Sequence, residues 1–243
     1  IPVLYFPKFF HPDPSVKRRS GFLQPQLNNS ETLGTSLYIP YFKTLGPDKD
    51  LTLKPTLFEG QVKLEKEKYI LQSEFRKKNK DSFLIADVGL LRDYKALNDD
   101  KFRNANHFFL DFAGDLKLDG YSKSGFEAQI ERVNNDTYLR VFQNVLTESP
   151  VMPSSLYSMN TNLKLYFDKE DQNLTTGFQI YETLGAKNSD KYQYTLPYYD
   201  FGKDLSSLIE ENSISGSLSF SSSGSNTLKN TNNLATSITN SFN

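Results

Sequence analysis

Apolar and polar residues alternate along most of this chain with a period of two, the spacing of strands with one face apolar and one polar. The sharpest runs are His107 to Leu118 and Tyr121 to Val133. The first sets Phe108, Leu110, Phe112, Leu116 and Leu118 against Asp111, Asp115 and Lys117. The second sets Phe126, Ala128 and Ile130 against Lys123, Glu127, Gln129 and Glu131. Asp50 to Phe58, Lys68 to Lys77, Thr137 to Leu146, Asn160 to Phe167, Leu174 to Leu184, Tyr194 to Phe201, Ser213 to Ser222 and Asn233 to Phe242 repeat the pattern, and Ser82 to Leu91 is almost continuously apolar. Between them, Ala96 to Asn106 reads as a polar loop, Leu118 to Tyr121 as a short turn and Ser221 to Asn233 as a hairpin loop. Helical spacing is confined to Asp204 to Glu211. Runs of this length exceed the usual soluble strand of about 5–6 residues. With short turns between them they predict an all-β, antiparallel up-and-down sheet of barrel type with roughly ten strands.

The first 42 residues differ from the rest. Pro2, Pro7, Pro12, Pro14, Pro25 and Pro40 fall there, six of the eleven prolines. Proline has no N–H to give to a ladder and belongs at edges, strand starts or bulges. Ile1 to Phe6 reads as a strand, followed by a stiff His-Pro-Asp-Pro-Ser connector. Pro25 and Pro40 lie inside two consecutive strand-like runs, Ser20 to Leu27 and Leu33 to Leu45. Two readings fit: an ordinary pair of edge strands, or a seam built to open. Lys17, Arg18 and Arg19 likewise fit a solvated hinge or a contact for lipid phosphates.

The segments IPVLYFP, HPDPSVKRRSGFLQP, LGTSLYIPYF and GPDKDLTLKPTL, and more weakly NNDTYLRVF at Asn134 to Phe142, resemble the LptD family of lipopolysaccharide-assembly proteins. The resemblance implies a chain in three parts. Residues 1–10 would end a periplasmic β-jellyroll, with Val3 and Tyr5 at the end of its apolar groove. Residues 11–19 would form a hinge. Residues 20–243 would begin a transmembrane β-barrel in the outer membrane of a Gram-negative cell, with Pro25 and Pro40 at a lateral gate. It also implies lipopolysaccharide as cargo, outer-membrane lipids as surroundings, and two protein partners: an LptE-like plug lipoprotein and an LptA-like periplasmic bridge protein. Both ends of the chain fall within strand-like runs, the expectation for an internal fragment of a longer protein.

Composition narrows the alternatives. The 28 basic and 29 acidic residues balance, and the only lysine-rich stretch, Lys63 to Lys80, is interleaved with glutamates, so no nucleic-acid partner is expected. There is no cysteine, which excludes disulfides and cysteine-ligated metals from these residues. His11 and His107 stand far apart and predict no metal site; each reads as a surface or interface histidine. No cofactor or catalytic residue is expected: there is no glycine-rich phosphate loop, GxSxG or HExxH motif, and the acidic pairs Asp99-Asp100 and Glu210-Glu211 read as solvated loops. No run of eighteen apolar residues exists, and mean hydropathy of −0.55 suits a soluble protein or a barrel with a polar lumen. The fourteen tyrosines and nineteen phenylalanines fit aromatic girdles, with Tyr38, Tyr41, Tyr69, Tyr121, Tyr138, Tyr181 and Tyr198 near expected strand ends. Two rivals stay open, another outer-membrane barrel such as a porin or receptor, and a soluble glycan-binding β-sandwich.

Overall fold

The computed structural model describes residues 18–30, 34–59, 69–94, 103–143, 145–146, 149–186, 189–207, 216–229 and 233–243. They form one antiparallel sheet of fourteen strands. Four short pieces come first: β1 (Gly21–Phe22), β2 (Gln26–Ser30), β3 (Gly34–Tyr38) and β4 (Tyr41–Thr44). Ten long strands follow: β5 (Lys49–Glu59), β6 (Tyr69–Lys78), β7 (Ser82–Tyr94), β8 (Arg103–Asp115), β9 (Lys123–Val133), β10 (Ser158–Lys169), β11 (Gln172–Thr183), β12 (Tyr192–Asp204), β13 (Ser219–Lys229) and β14 (Leu234–Phe242). From β4 onward each strand pairs with its successor in sequence, so the sheet is a meander. Among the described residues β14 has β13 as its only neighbour, and the sheet is open.

The expected strand Ile1 to Phe6 lies outside the described residues; the other expected strands are present, with four differences. Thr137 to Leu146 is no strand: its centre is the short helix α1 (Tyr138–Phe142), buried through Tyr138, Leu139 and Phe142. An alternating pattern of this length is shared by a single amphipathic turn. Positions 103–106, expected in a loop, belong to β8, which opens at Arg103. Ser221 to Lys229 is strand, not loop, because serine and asparagine side chains can face open space from a ladder whose backbone is fully paired. The two proline-bearing runs are each broken in two at the proline. Of the expected helix Asp204 to Glu211, only Ser206 and Ser207 are helical among the described residues.

The two faces of the sheet differ in kind. Register places Asp50, Lys54 and Thr56 of β5, Gln72 and Glu74 of β6, Asp87 of β7, His107, Phe109 and Asp111 of β8, and Gln129 and Glu131 of β9 on one face. The connection 134–157, which carries α1, packs onto this inner face. Its Tyr138, Leu139, Phe142, Val145, Leu146 and Val151 join Phe58, Ile70, Leu91, Ala105, Phe109 and Met159 in one buried cluster. The outer face carries Leu51, Leu53, Pro55 and Leu57, then Tyr69, Leu71 and Phe75, then Leu84, Val88 and Leu90, then Phe108, Leu110 and Phe112, then Phe126, Ala128 and Ile130. Nothing in the described residues covers it, and Leu57, Tyr69, Leu90 and Phe108 are exposed.

The ends of the sheet differ as well. Strands β5, β7, β9, β11 and β13 end at one rim, from which 60–68, 95–102, 134–157 and 184–191 lead to the next strand by longer connections and 230–233 by a short one. Connections 45–48, 79–81, 116–122 and 170–171 lie at the other, with 205–218 the exception to their brevity. Strand β1 runs from the short-turn end, so the chain joins the sheet there.

Candidate functional site

The proline-bearing edge owes its geometry to three prolines. Pro25 separates β1 from β2, and Pro40 separates β3 from β4. On its outer side β4 pairs with β1 through two residue pairs, and β3 pairs with β2 through five. One further bond bridges the gap, from the Leu23 N–H to the Pro40 carbonyl at 2.9 Å. In an antiparallel ladder the N–H and C=O of one residue face the same neighbour. The N–H that Pro40 lacks is therefore the one that would answer Leu23. The third proline was not placed at this edge by sequence. Register sets Pro55 of β5 opposite Ile39, and the Ile39 N–H reaches the Pro55 carbonyl at 3.1 Å. Pro55 returns no bond. The ladder between β1/β2 and β3/β4 and the next one, between β3/β4 and β5, thus each carry a one-sided pair at the same height.

Arg18 enters this edge at the short-turn end. Its guanidinium pairs with the buried carboxylate of Asp50, at the start of β5, and stands 5.4 Å over the Phe42 ring. Arg19 is exposed. Lys17, Val3, Tyr5 and His11 lie outside the described residues, as do Asp99-Asp100 and Glu210-Glu211.

The inner face holds a buried polar network. Lys54 Nζ lies 2.8 Å from Glu74 and 3.5 Å from Asp87. Arg76 closes on Glu74 from the other side. Gln72 donates to both Asp87 oxygens at 3.0 and 3.1 Å. His107 Nε2 is 2.7 Å from Asp87, and Nδ1 is 2.9 Å from the Tyr138 hydroxyl. A carboxylate only accepts, so Nε2–H donates to Asp87; in the neutral ring Nδ1 then accepts from the Tyr138 O–H. The chain of contacts links β5, β6, β7 and β8 to the inserted helix. Burial, then the Asp87 charge, pushes the Tyr138 phenol well above its ordinary range. The reading of His107 as a surface or interface histidine is corrected: it is 2% exposed and stacked on Phe109 at 4.4 Å. Nothing in its local sequence signals this; its partners come from other strands. Among the described residues no group of three metal-capable side chains is present.

A second set of contacts ties the insertion at the long-loop end. Lys191 lies 2.7 Å from Asp136 and 3.5 Å from Glu182, and Arg132 lies 3.4 Å from Glu182. The hydrogen bond from Lys191 to Asp136 raises the Lys191 pKa.

Aromatic rings on the outer face gather at the short-turn end, mostly as phenylalanines. Phe112 meets Phe126 at 5.9 Å, Tyr121 meets Phe167 at 5.9 Å, Phe201 meets Phe220 at 6.3 Å, and Phe220 meets Phe242 at 4.8 Å. The expected tyrosine girdle is corrected in part. Tyr38 and Tyr138 are buried, and Tyr198 donates to Asn162 on the inner face, whereas Tyr69, Tyr121 and Tyr181 are exposed.

Set beside known proteins, the chain is 40% identical over 76 residues to an LPS-assembly protein LptD from Ectopseudomonas mendocina, covering 31% of this chain and 7% of that protein. It is 30% identical over 147 residues to an LPS-assembly protein LptD from a Polaromonas species, covering 58% and 16%. It is 24% identical over 225 residues to an LPS-assembly protein LptD from Francisella tularensis, covering 78% and 25%. The relationship is LptD-like. No family model matches the chain. The chain spans a quarter or less of the length of these LptD relatives. The Francisella match extends well beyond the proline-rich segment that carries the resemblance in the sequence, into the long strands of the meander.

Proposed function

We propose that this chain is the first part of an outer-membrane barrel that inserts lipopolysaccharide into the outer leaflet, with its proline-broken edge as a lateral gate. The observation that carries this reading is the edge itself. Pro25, Pro40 and Pro55 leave consecutive ladders short of donors at one height, beside an uncovered apolar face. An amphiphile has acyl chains that avoid water and sugars that avoid hydrocarbon. A polar inner wall suits the sugars, an apolar exterior suits the chains, and a weak seam lets the two part company. No covalent chemistry is required of the chain.

The division of faces supports a membrane location. A soluble sandwich buries its apolar face and gives its charges to water. Here Lys54, Glu74 and Asp87 are buried, while Leu57, Tyr69, Leu90 and Phe108 on the apolar face of β5 to β8 stand exposed. Strands of nine to thirteen residues match the length needed to cross a bilayer. Apart from 205–218 and 230–233, short turns at one end and longer connections at the other follow the outer-membrane pattern, with short turns periplasmic. The chain joins the sheet at that end, which fits residues 1–10 as the end of a periplasmic jellyroll with Val3 and Tyr5 on its groove. Residues 11–19 then form the hinge, where Lys17 and Arg19 meet lipid headgroups and Arg18 is held by Asp50. Residues 20–243 form the barrel segment, an LptE-like lipoprotein plugs the completed barrel, and an LptA-like protein delivers cargo from the periplasm.

The test is depletion of the full-length protein in its own cell, followed by fractionation and labelling of surface lipopolysaccharide. The protein is expected in the outer-membrane fraction, with surface lipopolysaccharide falling as it is depleted. Unchanged surface lipopolysaccharide, or a protein recovered in the soluble fraction, overturns the proposal.

A further inference from the structure

The outward-facing charges at the short-turn rim are all lysines. On β5 Lys49 lies two residues beyond Leu51, and on β6 Lys77 lies two beyond Phe75. On β10 Lys169 lies two beyond Phe167, and on β12 Lys203 lies two beyond Phe201. Each lysine thus sits just past the apolar band, toward the short turns. Strand alternation puts Asp50, Asp115, Asp168 and Asp204 on the opposite, inner face, while Asp48, Asp81, Glu170 and Asp171 lie in turns. Asp81 is taken by Lys117. On the other long strands, outward positions at this height include Ser82, Gly114, Ser124, Phe220 and Phe242, none of them charged.

Two features make this row more than a solvated rim. Lys49 and Lys77 are direct cross-strand partners, so their Cβ atoms stand about 4.5–5.5 Å apart, and like charges so opposed destabilise a sheet. Lys169 and Lys203 flank Gln172, one strand to either side. Among the described residues none of the four enters an ion pair or a side-chain hydrogen bond. An anion between Lys49 and Lys77 would turn a repulsion into two attractions.

We propose that the pairs Lys49/Lys77 and Lys169/Lys203 bind the phosphates of anionic phospholipids in the leaflet at the short-turn end. The inference rests on the reading that the outer face meets lipid. The Phe75, Phe167 and Phe201 rings hold the acyl region, and the ammoniums reach the headgroup plane on their long stems. Each lysine at an anionic surface contributes roughly a fivefold preference.

The experiment equilibrates the detergent-purified full-length protein with vesicles of equal phosphatidylglycerol and phosphatidylcholine, then quantifies co-purifying lipid by mass spectrometry. Wild type is expected to enrich phosphatidylglycerol at least fivefold at low salt and to lose the enrichment at high salt. The variant Lys49→Gln/Lys77→Gln/Lys169→Gln/Lys203→Gln should bind both lipids equally, and the corresponding Lys→Arg variant should keep the preference. Equal binding by wild type, or undiminished enrichment in the Gln variant, overturns the proposal; should the Gln variant not fold, the wild-type salt series decides. Preference for lipopolysaccharide over phosphatidylglycerol in a parallel mixture overturns the assignment of the leaflet. Lipid retained without preference removes this inference alone, whereas a protein that retains no lipid and stays dispersed without detergent removes the membrane reading beneath it.

Discussion

Ile39 gives its backbone N–H to the carbonyl of Pro55 at 3.1 Å, and Pro55 has no N–H to give back. The same asymmetry recurs one strand outward, where Leu23 donates to Pro40 at 2.9 Å and receives nothing from it. The edge is therefore weakened by what the ladder lacks at particular atoms.

Restoring those donors should tighten the edge. In the double variant Pro40→Ala/Pro55→Ala, up to two hydrogen bonds return, each worth about 0.5–1.5 kcal/mol. Together they bias a near-balanced open–closed equilibrium about tenfold toward closed. Correct assembly with less lipopolysaccharide at the cell surface is the expected phenotype. Wild-type surface levels in a well-assembled variant would mean that the prolines are ordinary edge residues.

Outer-face substitutions should obey the lipid assignment. Arginine at Phe126 or Ile130 should cost about 2–4 kcal/mol if these positions lie near the bilayer midplane. Gln129→Arg, between them in sequence but on the inner face, should be tolerated. Assembly into the outer membrane, followed by heat-modifiable gel migration, separates the two outcomes.

His107→Ala should be among the most damaging single changes on the inner face. It removes one donor from Asp87, which keeps Gln72 and Lys54, and leaves the buried Tyr138 hydroxyl without its partner; an unsatisfied buried group costs about 1–3 kcal/mol. Protease cleavage within 134–157 should rise in parallel, because the Tyr138 hydroxyl ties α1 to His107 of β8. An insertion as resistant as wild type would show that the His107–Tyr138 bond does not help to hold it.

The tether at the long-loop end predicts a pH dependence. The hydrogen bond to Asp136 raises the Lys191 pKa above its unfolded value. Its stabilisation is then fully present below the ordinary lysine range and is lost as pH rises through the folded value. Cleavage of the insertion should increase only at strongly alkaline pH, and Lys191→Met should show that increase already at neutral pH. The pair is partly exposed, so the effect on global stability should stay within about 1 kcal/mol.

Much of this was legible in the residues. Period-two alternation located most of the long strands, although β7 reads as a continuous apolar run and the expected strand reaches only the first residues of β13; the antiparallel pairing of the Phe108 and Phe126 strands follows from the alternation directly. Pro25 and Pro40 marked the edge. Pro55 did not stand out, because its alignment with Ile39 depends on register between strands. The inner network was hidden for the same reason. Lys54, Glu74, Asp87 and His107 each look like a polar position on an alternating strand, and only the meander brings them together beneath Tyr138. The inserted helix was misread as a strand because five residues are too few to separate a period of two from one of 3.6.

The long strands also contain glycines that strand propensity disfavours, and at four of them the aromatic residue opposite in register takes the space of the missing side chain: Gly89 with His107, Gly125 with Tyr166, Gly177 with Tyr198, and Gly224 with Tyr199. A methyl added to any of the four would stand 2.3 to 2.7 Å from an atom of that side chain. Each ring lies down in the groove its glycine leaves open. A slip of one residue along the strand would drive the ring into a neighbour's Cβ and empty the groove, so these pairs work as detents that let the strands engage at one setting. They key β7 to β8, β9 to β10, β11 to β12 and β12 to β13. The ladder between β13 and β14, where serines and threonines face one another, has no such notch. Its alignment is left to the backbone, the Phe220–Phe242 contact and the hydrogen bond from Thr236 to Asn226, so it can be reset more readily than the four keyed joints.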